Sequence, residues 1–124
     1  MNDTVSLEFL AAFAEAWNRH DAQAIVAMMT PDCVMCLSAG PTREGSRYEG
    51  RDAVRAAAEA MFARFADAAW LDARHFISAN RGVSEWTFRA TGADGTQIET
   101  HGCDIFRFRD GLISVKDSYR KQVV

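Results

Sequence analysis

The chain has 124 residues, 48% hydrophobic and 25% charged, with a formal net charge of −3, the size and balance of one globular domain that can bury a core without disulfide staples. No run of Lys and Arg is interleaved with aromatics, so no nucleic-acid partner is expected. No apolar stretch approaches about 18 residues, which excludes a membrane-spanning helix.

The first segment, roughly 5 to 19, reads as an amphipathic helix. Leu10, Phe13, Ala14 and Trp17 recur at helical spacing. The segment carries acids and lacks the basic start and small-residue cleavage site of a secretory leader, so the expected location is cytoplasmic. Asp21 can cap a short second helix with Ile25, Met28 and Met29, which Thr30-Pro31-Asp32 ends. Residues 33 to 37 are a short strand candidate. Residues 38 to 50, with Gly40, Pro41, Gly45 and Gly50, read as a mobile loop.

A long helix is expected over about 51 to 66, with Val54, Ala57, Ala58, Met61, Phe62 and Phe65 on its apolar stripe. The rest reads as strands over about 70 to 79, 83 to 91, 97 to 109 and 112 to 121. Asn80-Arg81-Gly82, Asp94-Gly95 and Asp110-Gly111 mark the turns. The expected class is α+β, one domain over 1–124, with three N-terminal helices packed in a curled, mostly antiparallel sheet.

The turns predict a register. If Asp94-Gly95 and Asp110-Gly111 are two-residue turns, Asp104 faces Glu85 on one side and Asp117 on the other, and Phe106 faces Val115. Phe106, Phe108, Ile113, Val115 and Tyr119 share the Asp104 face, so that face is expected beneath the helices. A one-residue slip in the first hairpin would turn Trp86 and Phe88 inward and Glu85 outward. Two charges ~5 Å apart repel by roughly 3 kcal/mol at an effective dielectric of ~20. Crowded acids therefore favour a shared proton, which a proton-shuttling site needs. Asp104, Asp117 and Glu85 are the candidate catalytic residues; an arginine from the strands could instead neutralise them as a structural network.

Phe13, Trp17, Phe106, Tyr119 and Val115 are candidate walls of a substrate pocket. Trp86, Phe88 and Ile105 are expected on the outer face as a homodimer patch. His20 reads as a helix-end residue, and His75 lies on a strand whose facing the ambiguous preceding turn leaves open. Cys33-x-x-Cys36 on a strand points its sulfurs to opposite faces, and His101 with Cys103 is too few ligands for a metal. No metal or cofactor is expected.

The segments FLAAFAEAWNRHD, MMTPDCVM, YEGRDAVRAAAEAMFARF, GVSEWTFRATGADG and GCDIFRFRDGLISVKDSYRK, in this order, resemble the nuclear transport factor 2-like superfamily, within it the SnoaL-like and ketosteroid isomerase-like groups. The resemblance covers nearly the whole chain. It implies a cone-shaped α+β barrel, usually a homodimer, doing cofactor-free acid/base chemistry on small, often cyclic apolar molecules. It implies that Asp104 is the pocket acid. Where the isomerases have their base and tyrosine this chain has Leu37 and Phe13. SEW around Glu85 and DSY around Asp117 are similar to the acid pair of limonene-epoxide hydrolase-type enzymes, whose arginine is replaced by Val83. The expected function is an isomerase, cyclase, dehydratase or hydratase; the alternatives are a non-catalytic ligand-binding or assembly module and an epoxide hydrolase.

Overall fold

A computed structural model describes residues 3–124. Helix α1 spans Leu7–Asn18; its N-cap Ser6 accepts from the Phe9 N–H at 3.0 Å, filling one of the donors a helix start leaves open. Leu10, Phe13, Ala16 and Trp17 form its buried face. Helix α2, Ala22–Ala27, is capped by Asp21, which accepts from the Ala24 N–H at 3.0 Å. Helix α3 spans Arg51–Arg64 and buries Val54 and Ala58.

The strands are β1 Met29–Cys36, β2 Arg47–Glu49, β3 Ala69–Ser78, β4 Arg81–Thr91, β5 Gln97–Arg109 and β6 Leu112–Arg120. They form one open sheet in the order β2-β1-β6-β5-β4-β3. All neighbours are antiparallel except β1 and β6, which are parallel. The core packs the inner face of this sheet against the helices through Phe13, Trp17, Ile25, Val54, Phe106, Phe108 and Ile113. A smaller cluster holds Ala68, Trp86, Phe88 and Ala90. Asn18 pins α1 to β3: its amide donates to the Trp70 carbonyl at 3.0 Å and accepts from the Trp70 N–H at 2.8 Å.

Three local features depart from the sequence reading. Strand β1 starts at Met29 and contains Pro31, which it absorbs with a register shift against β6 between Met29 and Val34; a bulge is where a strand tolerates a residue that cannot donate. The Gly-rich loop contains β2. The third departure is in the hairpins, and it decides the site.

In the first hairpin Thr91 pairs with Gln97, so the loop holds five residues, Gly92 to Thr96. Gly92 donates to the Thr96 carbonyl at 2.8 Å and Asp94 accepts from the Thr96 N–H at 3.0 Å. The longer loop moves every facing pair by one position, and Asp104 faces Ser84. The second hairpin turns as expected at Asp110 and Gly111, both with positive φ (55° and 74°), and Arg109 faces Leu112. A bulge then intervenes between Arg107 and Phe108, opposite Ser114, whose hydroxyl donates to the Arg107 carbonyl at 3.2 Å. Beyond it Phe106 faces Lys116 and Asp104 faces Ser118.

Candidate active site

One row of polar residues crosses the inner face of the sheet. His75 on β3 faces Ser84 on β4, Ser84 faces Asp104 on β5, and Asp104 faces Ser118 on β6. Because side chains alternate between faces, four residues in register on four strands project to one side. Lys116, two residues before Ser118, joins them on that side and is buried.

Asp104 is 7% exposed, accepts two hydrogen bonds and pairs with one cation. The Ser118 hydroxyl donates to Oδ1 at 2.6 Å, the Trp86 indole N–H donates to Oδ2 at 3.1 Å, and Lys116 Nζ lies 3.2 Å from Oδ1. Lys116 also donates to Ser118 Oγ at 2.9 Å and sits 4.6 Å from the centre of the Trp17 ring, in cation–π range. Gly102 makes the Trp86 contact possible. A Cβ there would lie 2.5 Å from the Trp86 ring, so only a residue without one lets the indole lie across β5 to reach Asp104.

Above the row, Phe13 and Trp17 from α1, Trp70 and Ala73 from β3 and Phe106 from β5 wall a narrow cavity that His75, Ser84, Asp104 and Lys116 also line. Phe13 meets Phe106 edge-on at 5.8 Å and Trp17 meets Trp70 at 5.4 Å. The space left is about 20 Å³, room for one water molecule. Two polar groups at its wall have hydrogen-bonding capacity left over. The Trp17 indole N–H is buried without a hydrogen-bond partner among the described residues. His75 Nδ1 is 2.7 Å from Ser84 Oγ, and its Nε2 makes no hydrogen bond among the described residues. Burial holds the His75 imidazole below its ordinary value of 6.5, so near neutral pH it is uncharged.

The expected trio of acids does not form. Glu85 faces Cys103 and Arg74, and Asp117 faces Ile105 and Cys36, all on the outer face. The one-residue shift in each hairpin is the cause, since a shift of one reverses the facing of a strand. The same shift corrects the pocket walls. Phe13, Trp17 and Phe106 line the cavity; Val115 faces Arg107 on the outer side, and Tyr119 is 54% exposed beside Asp117. It also corrects the outer patch. Trp86 and Phe88 are buried inside, and of the three expected residues Ile105 alone stays on the outer face.

On that outer face Asp117's charge and its hydrogen bond raise the Tyr119 phenol above its ordinary value. Burial raises all three thiols, Cys33, Cys36 and Cys103, which keeps them protonated and poorly nucleophilic. His20 stacks on Phe62 and bonds the Ala68 carbonyl at 2.7 Å, a tie between the end of α1 and the residue that leads into β3. His101 meets Thr87 at 3.2 Å on the outer side.

The sequence pattern does not mark Lys116, Ser118 or Ser84 as site residues. Nothing in the pattern from Ile113 to Tyr119 marks the bulge, and without it Lys116 alternates outward. A buried acid needs donors within reach, and that need was the one available signal for Lys116.

Residues 10–115 match the model of the SnoaL-like domain, and the chain belongs to that family. No curated protein matches the sequence. Among solved structures the chain is similar to a protein of Xanthomonas campestris pv. campestris provisionally named a polyketide cyclase, at 23% identity, with 90% of this chain and 87% of that one covered and a TM-score of 0.80. It is similar to a protein of Catenulispora acidiphila with a ketosteroid isomerase-like fold, in complex with trimethylamine, at 16% identity, 93% and 86% coverage and a TM-score of 0.81. TerC, co-crystallised with polyporic acid, is matched at 17% identity, 93% and 90% coverage and a TM-score of 0.79. At these identities the likeness is one of fold.

Proposed function

We propose that this SnoaL-like domain is a cofactor-independent enzyme of the isomerase, cyclase, dehydratase or hydratase type, with Asp104 as its acid/base group. The observation that carries the reading is the buried Asp104–Lys116 pair at the wall of an aromatic cavity. Such a pair is a poor way to gain stability, because desolvating two ions costs several kcal/mol each and apolar replacements often do as well. In a chemical site it is useful. Asp104 can pass a proton to or from a substrate oxygen, and Lys116 offsets the negative charge that builds there. Trp86 and Ser118 hold the carboxylate in place.

The substrate class is a small, largely apolar molecule with at least one polar oxygen. Aromatic walls favour flat rings, and the co-crystal of TerC with polyporic acid supports small-molecule binding in this fold. At about 20 Å³ the cavity must widen to admit it, with Phe13 and Trp17 of α1 as the side chains to move. The epoxide-opening reading loses its acids, since Glu85 and Asp117 lie on the other side of the sheet. A homodimer through the outer face remains part of the proposal, resting on Ile105 and the groove bounded by Glu85, Cys103 and Tyr119.

The test follows exchange of the α-protons of β-tetralone, a flat ketone, in deuterium oxide by proton NMR. Wild-type protein is expected to accelerate exchange over buffer, and Asp104→Asn to lose roughly 100-fold or more of that acceleration. Exchange by Asp104→Asn at the wild-type rate would remove Asp104 from the chemistry.

A further inference from the structure

A mechanism confined to Asp104 and Lys116 leaves His75 unused, although it lines the same cavity. Three observations bear on it. Nδ1 is fixed at 2.7 Å from Ser84 Oγ. Nε2, across the ring, has no hydrogen-bond partner among the described residues. His75 and Asp104 flank Ser84 from opposite sides, two strand spacings or about 10 Å apart at the backbone. Their side chains can therefore reach two different atoms of one small molecule lying along the row.

We propose that His75 is a second catalytic residue, the base that removes a carbon-bound proton beside a carbonyl whose oxygen meets Asp104 and Lys116, and that Ser84 is its positioning residue. The inference rests on the small-molecule reading above. Ser84 Oγ accepts from Nδ1–H, which leaves the lone pair on Nε2. Nε2 takes the α-proton. The C–H electron pair becomes the C=C bond of an enolate, and the negative charge moves to oxygen beside the Lys116 ammonium. The imidazolium then returns its proton to carbon, to the same atom in simple exchange or to the far end of a conjugated system in isomerisation. Nothing is consumed, and no oxidant or cofactor is required.

The surroundings suit a neutral base. From α1 the cavity receives Leu10, Phe13, Ala14 and Trp17, none of them titratable; Ser84 on β4 is uncharged; the charged groups on the cavity wall are Asp104 on β5 and Lys116 on β6. Arg74, next to His75 in sequence, lies opposite Glu85 in the β3–β4 register on the outer side. Burial keeps the imidazole uncharged near neutral pH, where an accessible lone pair is worth most to a base.

The experiment uses the full chain and β-tetralone in deuterium oxide across pH 5 to 8. Wild-type acceleration should fall on the acid side as the imidazole takes up a proton. His75→Gln should lose roughly 100-fold and the acid limb with it, and Ser84→Ala should lower kcat by several-fold with KM little changed. His75→Gln at the wild-type rate, with Asp104→Asn inactive, overturns the His75 assignment and leaves the Asp104 reading standing. The reverse pattern removes Asp104 and leaves His75 as the base. Absence of acceleration by the wild type overturns both. Should His75→Gln fail to fold, nitrogen-15 NMR of the wild-type imidazole decides: a protonated Nδ1 with unprotonated Nε2 is expected, and the opposite tautomer overturns the inference.

Discussion

Lys116 Nζ and Asp104 Oδ1 lie 3.2 Å apart, with side chains only 8% and 10% exposed. The two residues come from adjacent strands, and the bulge opposite Ser114 is what brings them to the same face.

Breaking this pair from one side should be costly. Lys116→Met leaves a buried carboxylate with two neutral donors, and Asp104→Leu leaves a buried ammonium; each should cost about 3–5 kcal/mol. The double variant Asp104→Leu/Lys116→Met should recover most of that loss, to within about 1–2 kcal/mol of wild type. Urea denaturation of the four proteins measures the cycle. Strictly additive losses would mean that the pair does not interact.

Gly102→Ala tests the seat of Trp86. The added Cβ would stand 2.5 Å from the indole and 2.6 Å from the Tyr119 carbonyl, and one of these must move. The expected loss is about 1–3 kcal/mol, typical of overpacking, with a change in tryptophan fluorescence as the indole leaves Asp104. Unchanged stability and spectrum would contradict the close approach.

His75 predicts a pH dependence with a definite sign. Its folded value lies below 6.5 and its unfolded value is near 6.5, so between the two the unfolded chain binds more protons and stability rises with pH. The penalty for charging His75 is absent above 6.5 and complete below the folded value. Wild-type stability should therefore fall on acidification through this window more steeply than that of His75→Gln. Parallel curves from pH 7 to pH 5 would show that the imidazole is not desolvated.

On the outer face Asp117 holds up the Tyr119 phenol. Asp117→Asn should bring the phenol back toward 10, read by ultraviolet titration near 295 nm. No movement would separate the two side chains and put the bulge in doubt.

The legible part of the sequence was the part set by local chemistry. Leu10, Phe13 and Trp17 at helical spacing gave α1, and Asp110-Gly111 gave its turn, because both signals act within a few residues. Asp104 on the buried face was also readable, since the apolar side chains of Phe106 and Phe108 share its alternation. Facing across strands was harder. Asp94-Gly95 marks where the chain reverses without stating loop length, and the contacts of Asp94 and Gly92 with Thr96 made it five residues. At Ser114 a hydroxyl that bonds the Arg107 carbonyl stabilises an extra residue no alternation rule anticipates. Two one-residue slips moved Glu85 and Asp117 out and brought Ser84, Ser118 and Lys116 in. His75 is visible as a candidate in the sequence, and only the pairing of β3 with β4 gives it a direction.

The sheet order also bears on assembly. Strand β6, last of the described strands in chain order, sits between β1 and β5 and joins two halves that have no other strand pairing. During synthesis the early pair β1–β2, complete at Glu49, must wait, unzipped on one side, until its neighbour β6 begins at Leu112, roughly sixty residues later. Lys116 and Ser118 arrive on that closing strand. Until then Asp104 has Trp86 alone as a donor, so completion of the architecture and of the charged centre is a single event.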